Sequence, residues 1–101
     1  MGNSVRVAAT SDLQPGECKV VEAEGQSIAL YNVGGSFYAT DNTCLHRGGP
    51  LGEGFLEGDT VTCPWHGWTY NVTTGVSAIN PNNCLKTYPV TIEGSEVHIT
   101  V

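Results

Sequence analysis

Basic residues are scarce in this chain: four lysines and arginines stand against ten aspartates and glutamates, for a formal charge of −6. A surface of that sign repels phosphate backbones and anionic lipid headgroups, so no nucleic acid and no membrane surface is expected as a partner. The same acidity keeps a small protein soluble and equally suits steering towards a basic partner. Long apolar runs are missing too, and nowhere do about 18 apolar residues stand together, as a membrane-spanning helix requires. The opening MGNSVRVAATSDLQPGE shows neither a charged segment followed by an apolar run of secretory length nor a twin arginine. A cytoplasmic address is the expectation. In that reducing compartment the four cysteines are expected as thiols or metal ligands and not as bridges. Charge of either sign is sparse at 14%, while 40% of residues are hydrophobic, a balance that excludes intrinsic disorder. With 101 residues there is room for one domain, which at this size buries roughly 60–70% of its unfolded surface.

Helical periodicity is also hard to find. What recurs is short apolar-alternating runs broken by glycine turns, the pattern of strands in a sandwich or barrel. Residues Cys18 to Glu22 read as a strand, Glu24-Gly25 as a turn and Ser27 to Asn32 as a second strand. Gly34-Gly35 can take positive φ without steric cost and should close a tight hairpin onto Ser36 to Thr40. Near the C-terminus Val97, Ile99 and Val101 alternate with Glu96, His98 and Thr100, the period of a half-buried strand. Its expected partner is Tyr88 to Ile92, joined through Glu93-Gly94-Ser95. Between these β-rich ends lies a loop-rich stretch. The expectation is a basal β subdomain of residues 1–41 and 84–101 carrying an inserted subdomain of residues 42–83.

That inserted stretch holds the chemistry. Cys44-Leu45-His46 is followed after sixteen residues by Cys63-Pro64-Trp65-His66. Two short loops, each offering one thiolate and one imidazole, can converge on a metal centre. Cysteine and histidine suit zinc or an iron-sulfur cluster, and neither motif contains a carboxylate. Two of the three histidines and two of the four cysteines fall in this pairing, which chance placement of buried cysteines explains poorly. Structural zinc sites mostly pair C-x-x-C with C-x-x-C or H-x-x-H. The spacing alone therefore favours a cluster and leaves Cys2His2 zinc open.

The string CLHRGGPLGEGFLEGDTVTCPWHGWTYNVTTG resembles the cluster-binding region of Rieske proteins, and LYNVGGSFYATDNTC before it and CLKTYPVTIEGSEVHITV after it resemble the stand-alone Rieske ferredoxins. The resemblance implies a [2Fe-2S] cluster with Cys44 and Cys63 on the buried iron and His46 and His66 on the outer one. Histidine ligation raises the potential to about −150 to +300 mV across the class. Two ferric ions, two sulfides and two thiolates sum to a neutral oxidised cluster, whereas an all-cysteine cluster begins with two negative charges and resists a further electron. Two departures from the respiratory branch matter. Its loop disulfide would need cysteines where this chain has Gly49 and Trp65, and its serine donor to a sulfide is replaced by Trp68. Loss of that donor lowers the potential. Tyr70 matches a tyrosine that hydrogen-bonds a cysteine ligand in that branch, and Pro81 resembles the proline loop covering the cluster.

Several residues carry plainer expectations. His98 should be exposed and structural; Cys18 and Cys84 should be buried thiols. Trp65 and Trp68 flank His66 as shielding or partner contact, and Arg47 is either solvated or set to meet an acidic partner. Asn71-Val72-Thr73 formally spells a glycosylation acceptor, without meaning in an unsecreted chain. The fold expected is all-β: a small antiparallel sandwich or barrel with the cluster subdomain inserted as two ligand loops on a short three-stranded sheet. The function expected is one-electron transfer without catalysis, since with two of the three histidines already used no 2-His-1-carboxylate triad can be assembled. By resemblance the chain is a monomeric ferredoxin taking electrons from an NAD(P)H-dependent flavoprotein reductase and giving them to a terminal oxygenase of aromatic rings. Alternatives are a small subunit of a nitrite-reductase-like enzyme and a zinc-stabilised interaction module.

Overall fold

The protein is seen in a computed structural model, which describes residues 4–43, 50–65, 67–77 and 84–101. Among the described residues ten strands run β1 Ser4–Ala9, β2 Cys18–Ala23, β3 Gln26–Val33, β4 Ser36–Asp41, β5 Phe55–Glu57, β6 Thr60–Thr62, β7 Thr69–Asn71, β8 Thr87–Tyr88, β9 Val90–Glu93 and β10 Glu96–Thr100. Helix is confined, among the described residues, to the 3-10 turns Thr10–Asp12 and Leu51–Glu53. No helix among them is long and apolar enough to cross a membrane. The strands form three antiparallel sheets of order β1-β10-β9, β2-β3-β4-β8 and β5-β6-β7. The expected all-β architecture and the short three-stranded sheet are both present.

Strand β3 organises the molecule because both of its faces are apolar. Ile28 and Leu30 point into one core with Val21, Ala8, Val97 and Ile99. The alternate residues Ala29 and Tyr31 point into a second core with Leu51, Val61, Cys63, Tyr70, Val72 and Leu85. A strand covered on both sides reads as a continuous apolar run, and Ile28 to Asn32 are all buried. Each large aliphatic side chain so placed contributes about 1.5–3 kcal/mol of transfer free energy. The polar groups in this layer are satisfied: the Tyr31 hydroxyl lies 2.9 Å from Thr40 Oγ1, Asn32 Nδ2 donates to the Leu13 carbonyl at 2.8 Å, and Asn32 Oδ1 accepts from Gly35 N–H at 2.8 Å.

The two hairpins around β3 form where expected. Gly34 and Gly35 take φ +58° and +99°, the twist of a two-residue turn that matches the flanking strands. The C-terminal pairing differs from the expectation in one respect. Tyr88 does not continue the partner of β10; it lies in β8 and pairs with Ala39 of β4, while Val90 to Glu93 pair with β10. Pro89 separates the two, having no N–H to donate to a ladder, and the chain changes sheets there. The N-terminal strand β1 completes the sheet against β10, with a register shift between Arg6 and Ala8.

Candidate metal centre

The second cysteine-histidine motif caps the hairpin of β6 and β7. Thr60-Val61-Thr62 and Thr69-Tyr70-Asn71 alternate so that Val61 and Tyr70, directly opposite one another, are fully buried. The six residues between them are closed by two backbone bonds: Cys63 N–H donates to the Trp68 carbonyl at 2.7 Å, and Gly67 N–H donates to the Cys63 carbonyl at 3.1 Å. Gly67 sits at φ +76°, a conformation a residue with a Cβ adopts only under strain. Cys63 itself is 2% exposed and faces the second core. Trp68 packs, half-buried, on the same core. Trp65 is 57% exposed.

The first motif spans a segment whose base is equally well held. Thr43 and Pro50 are bridge partners. Asn42 accepts twice, at its carbonyl from Leu51 N–H at 2.7 Å and at Oδ1 from Gly52 N–H at 2.8 Å. The 3-10 turn that follows is wedged between neighbours through its glycines. A Cβ on Gly52 would lie 2.7 Å from Val20 Cγ2, and one on Gly54 would meet the Thr62 carbonyl and lie 3.2 Å from Pro64 Cδ. The exit of the first loop therefore touches the start of the second. A third segment, 78–83, is closed at its base by the bridges Tyr70 to Ser77 and Val76 to Cys84.

Of the residues singled out in the sequence, Cys63, Trp68 and Tyr70 come together in one core. Cys44, His46, Arg47, His66 and Pro81 lie outside the described residues. Asn42 and Gly54 carry no ligand chemistry and were not singled out, yet they fix the geometry of the loops; an asparagine two residues before the first cysteine was the available signal. Cys84 is exposed and not buried as expected, because it stands at the mouth of the 78–83 segment with its backbone, not its side chain, in the bridge. No disulfide joins it to Cys18. Cys18 is half-buried and not fully buried as expected, and that burial pushes its thiol up from its ordinary range, with Glu17 adding to the effect. His98 faces outward but is only 17% exposed, because Glu96 approaches Nε2 at 3.2 Å and Glu93 approaches Nδ1 at 3.9 Å.

These observations fit a cluster. A buried thiol at the mouth of a closed loop, the segment after the first motif packed against it and a donor set of cysteine and histidine suit a centre with one buried and one outer metal. The Rieske [2Fe-2S] domain is the family whose pattern matches residues 3–89, and the chain belongs to it. Its cofactor is a [2Fe-2S] cluster, and the zinc alternative left open by spacing is closed.

Within that family the similarity runs to the small ferredoxins. The chain is 41% identical over 97 residues to Ferredoxin CarAc of Metapseudomonas resinovorans, across 94% of this chain and 91% of that protein. It is 41% identical over 96 residues to the ferredoxin component of the naphthalene 1,2-dioxygenase system of Pseudomonas putida, across 94% and 92%. Among solved structures, a chain in the complex of reduced oxygenase and oxidized ferredoxin in carbazole 1,9a-dioxygenase superposes with a TM-score of 0.88 at 40% identity, over 96% of this chain and 92% of that one. This chain is likewise an electron-carrying ferredoxin of the Rieske type and not a catalyst.

Proposed function

We propose that Cys44 and Cys63 hold the buried iron and His46 and His66 the outer one, and that the protein passes single electrons from an NAD(P)H-dependent flavoprotein reductase to a terminal oxygenase acting on aromatic rings. The observation that carries the ligand assignment is Cys63, buried in the core at the mouth of a loop closed by its own backbone bonds. When bound, the cluster supplies a one-electron couple. The protein supplies a fixed frame, so that little besides electron density needs to change on reduction. The partner assignment draws on the relatives: one is a component of a naphthalene dioxygenase system and another is paired with its oxygenase. In this reading residues 42–83 form the cluster-bearing unit on a base of residues 1–41 and 84–101, and the carrier works as a cytoplasmic monomer.

Two irons and two acid-labile sulfides per chain are expected on purification, with visible absorption in the oxidised protein. His46→Cys or His66→Cys should keep a cluster but lower its midpoint, because each adds a negative charge to the couple. A variant that keeps the wild-type potential would remove that histidine from the ligand set.

A further inference from the structure

A shallow groove of about 480 Å³ lies between the 3-10 turn Thr10–Asp12, the start of β2 and β5. Leu13, half-buried Cys18 and Leu56 give it an apolar floor, with Asp12, Glu17 and Phe55 around the edge. Each rim carboxylate is held in place by a backbone amide: Asp12 Oδ2 accepts from Ala9 N–H at 2.9 Å and Glu17 Oε1 from Gln14 N–H at 2.8 Å. Lys19 is the one basic residue lining the groove among the described residues. Glu53 and Glu57, both exposed, stand two residues to either side of Phe55.

Phe55 is 70% exposed, which for a phenylalanine on a strand leaves most of the ring in water. It is not isolated. The residue before it, Gly54, touches Pro64, the residue before exposed Trp65. Two of the large exposed hydrophobic side chains are thus on touching elements, one at a ligand loop and one at the groove. Aromatic anchors surrounded by charge are the composition of a protein interface, and the charge here is acidic.

We propose that the groove, with Phe55 and Trp65, docks a segment of the redox partner that presents a lysine or arginine beside an apolar side chain. The cation meets Asp12, Glu17 and Glu57, and the apolar side chain covers Phe55 and enters above Leu13 and Leu56. The proposal rests on the electron-carrier function and gives it a contact surface on the flank of the molecule. The overall charge of −6 supplies long-range attraction to such a partner, and the groove supplies its orientation.

The test uses the holoprotein and mitochondrial cytochrome c, a basic haem protein, as probe. Each reduced ferredoxin gives one electron to a ferric haem, and the second-order rate is followed at low and moderate ionic strength. Phe55→Ser and Glu57→Lys should each lower the low-salt rate about tenfold, as loss of an anchoring contact does, with visible spectrum and midpoint unchanged. Glu22→Lys, at the far end of β2 and equal to Glu57→Lys in net charge, should stay within about twofold of wild type, since distant exposed charges are screened. Phe55→Ser and Glu57→Lys behaving like Glu22→Lys would overturn the groove while leaving the carrier intact. A wild-type protein that holds its cluster but reduces no cytochrome c would remove the carrier reading and this surface with it.

Discussion

Replacing Gly54 by alanine probes the contact between the segment that follows the first cysteine-histidine motif and the start of the second. Gly54 has φ −84°, a value open to any residue, so the glycine is there for space and not for backbone freedom. An added Cβ would collide with the Thr62 carbonyl and sit 3.2 Å from both the Leu51 carbonyl oxygen and Pro64 Cδ. None of these atoms is the far end of a flexible side chain, so relief means moving backbone or a proline ring. Overpacking of this kind costs about 1–3 kcal/mol, and the stiffer unfolded alanine chain offsets about 0.4–1 kcal/mol of it. The net loss is roughly 1–2 kcal/mol, at about 4–8 °C per kcal/mol in the melting temperature of a domain near this size. Because Thr62 directly precedes Cys63, the displacement falls on the ligand loop, and cluster retention should drop together with stability. Denaturant unfolding followed both by far-UV circular dichroism and by visible absorbance measures the two effects in one experiment. Gly58→Ala is the control: its φ is +61° with open space around it, so it should cost about 1–2 kcal/mol of left-handed strain without changing iron content at low denaturant. A Gly54→Ala protein with the wild-type midpoint and full iron would refute the coupling of the loops through this residue.

Other perturbations act elsewhere. Glu24 holds φ +50° in the turn between β2 and β3, and Glu24→Asn should raise the unfolding free energy by about 0.5–1 kcal/mol, since asparagine before glycine suits that turn; a lowered denaturant midpoint would count against the strain. The Glu96 carboxyl is held below its ordinary range, first by the hydrogen bond to His98 and then by Arg6. A lowered folded-state pKa gives stability that is present above the unfolded value, about 4.3, and lost as pH falls through the folded one. Glu96→Gln should therefore lower stability near neutrality, where the carboxylate is charged, and converge on wild type at pH well below about 4.3, where it is protonated; a profile parallel to wild type at every pH would dismiss the contribution. Tyr70→Phe should lower the midpoint potential by some tens of millivolts if its hydroxyl serves a cysteine sulfur, from a wild-type value in the lower part of the range of about −150 to +300 mV. A wild-type voltammogram centred above about +150 mV would sink the assignment to an oxygenase system.

The hairpins around β3 were legible because each carries its own local turn chemistry: Glu24-Gly25 and Gly34-Gly35 flank a run whose residues are apolar on both faces. The C-terminal strand was legible for the same reason, through alternation and Gly94-Ser95. Strand β1 was not. Ser4 pairs with Thr100 and Ala9 with Glu96, so its partner lies at the other end of the chain and no turn between them announces it. The division of β8 from β9 was visible in principle at Pro89, but periodicity on both sides of the proline looks the same. Exposure misled at two positions. His98 alternates outward as its period requires, yet carboxylates from its own hairpin cover it. Cys84 belongs to a backbone bridge and gains no burial from it. At the candidate metal centre the cysteine-histidine motifs stand out by their spacing, whereas Asn42 and Gly54 act through a carbonyl, an amide oxygen and empty space, none of which leaves a periodic or compositional mark.

The coupling of β3 to both cores explains why so small a chain can hold such loops. Alternate side chains of one strand enter the basal core and the core beneath Cys63, so the frame around the ligand loop cannot shift without disturbing packing that stabilises the whole domain. Close-packed interiors resist such shifts. The bases of segments 44–49 and 78–83 and of the 63–68 loop are each closed by backbone pairing of their own. For an electron carrier this arrangement has a direct use, since a stiff surround keeps the rearrangement that accompanies each electron small.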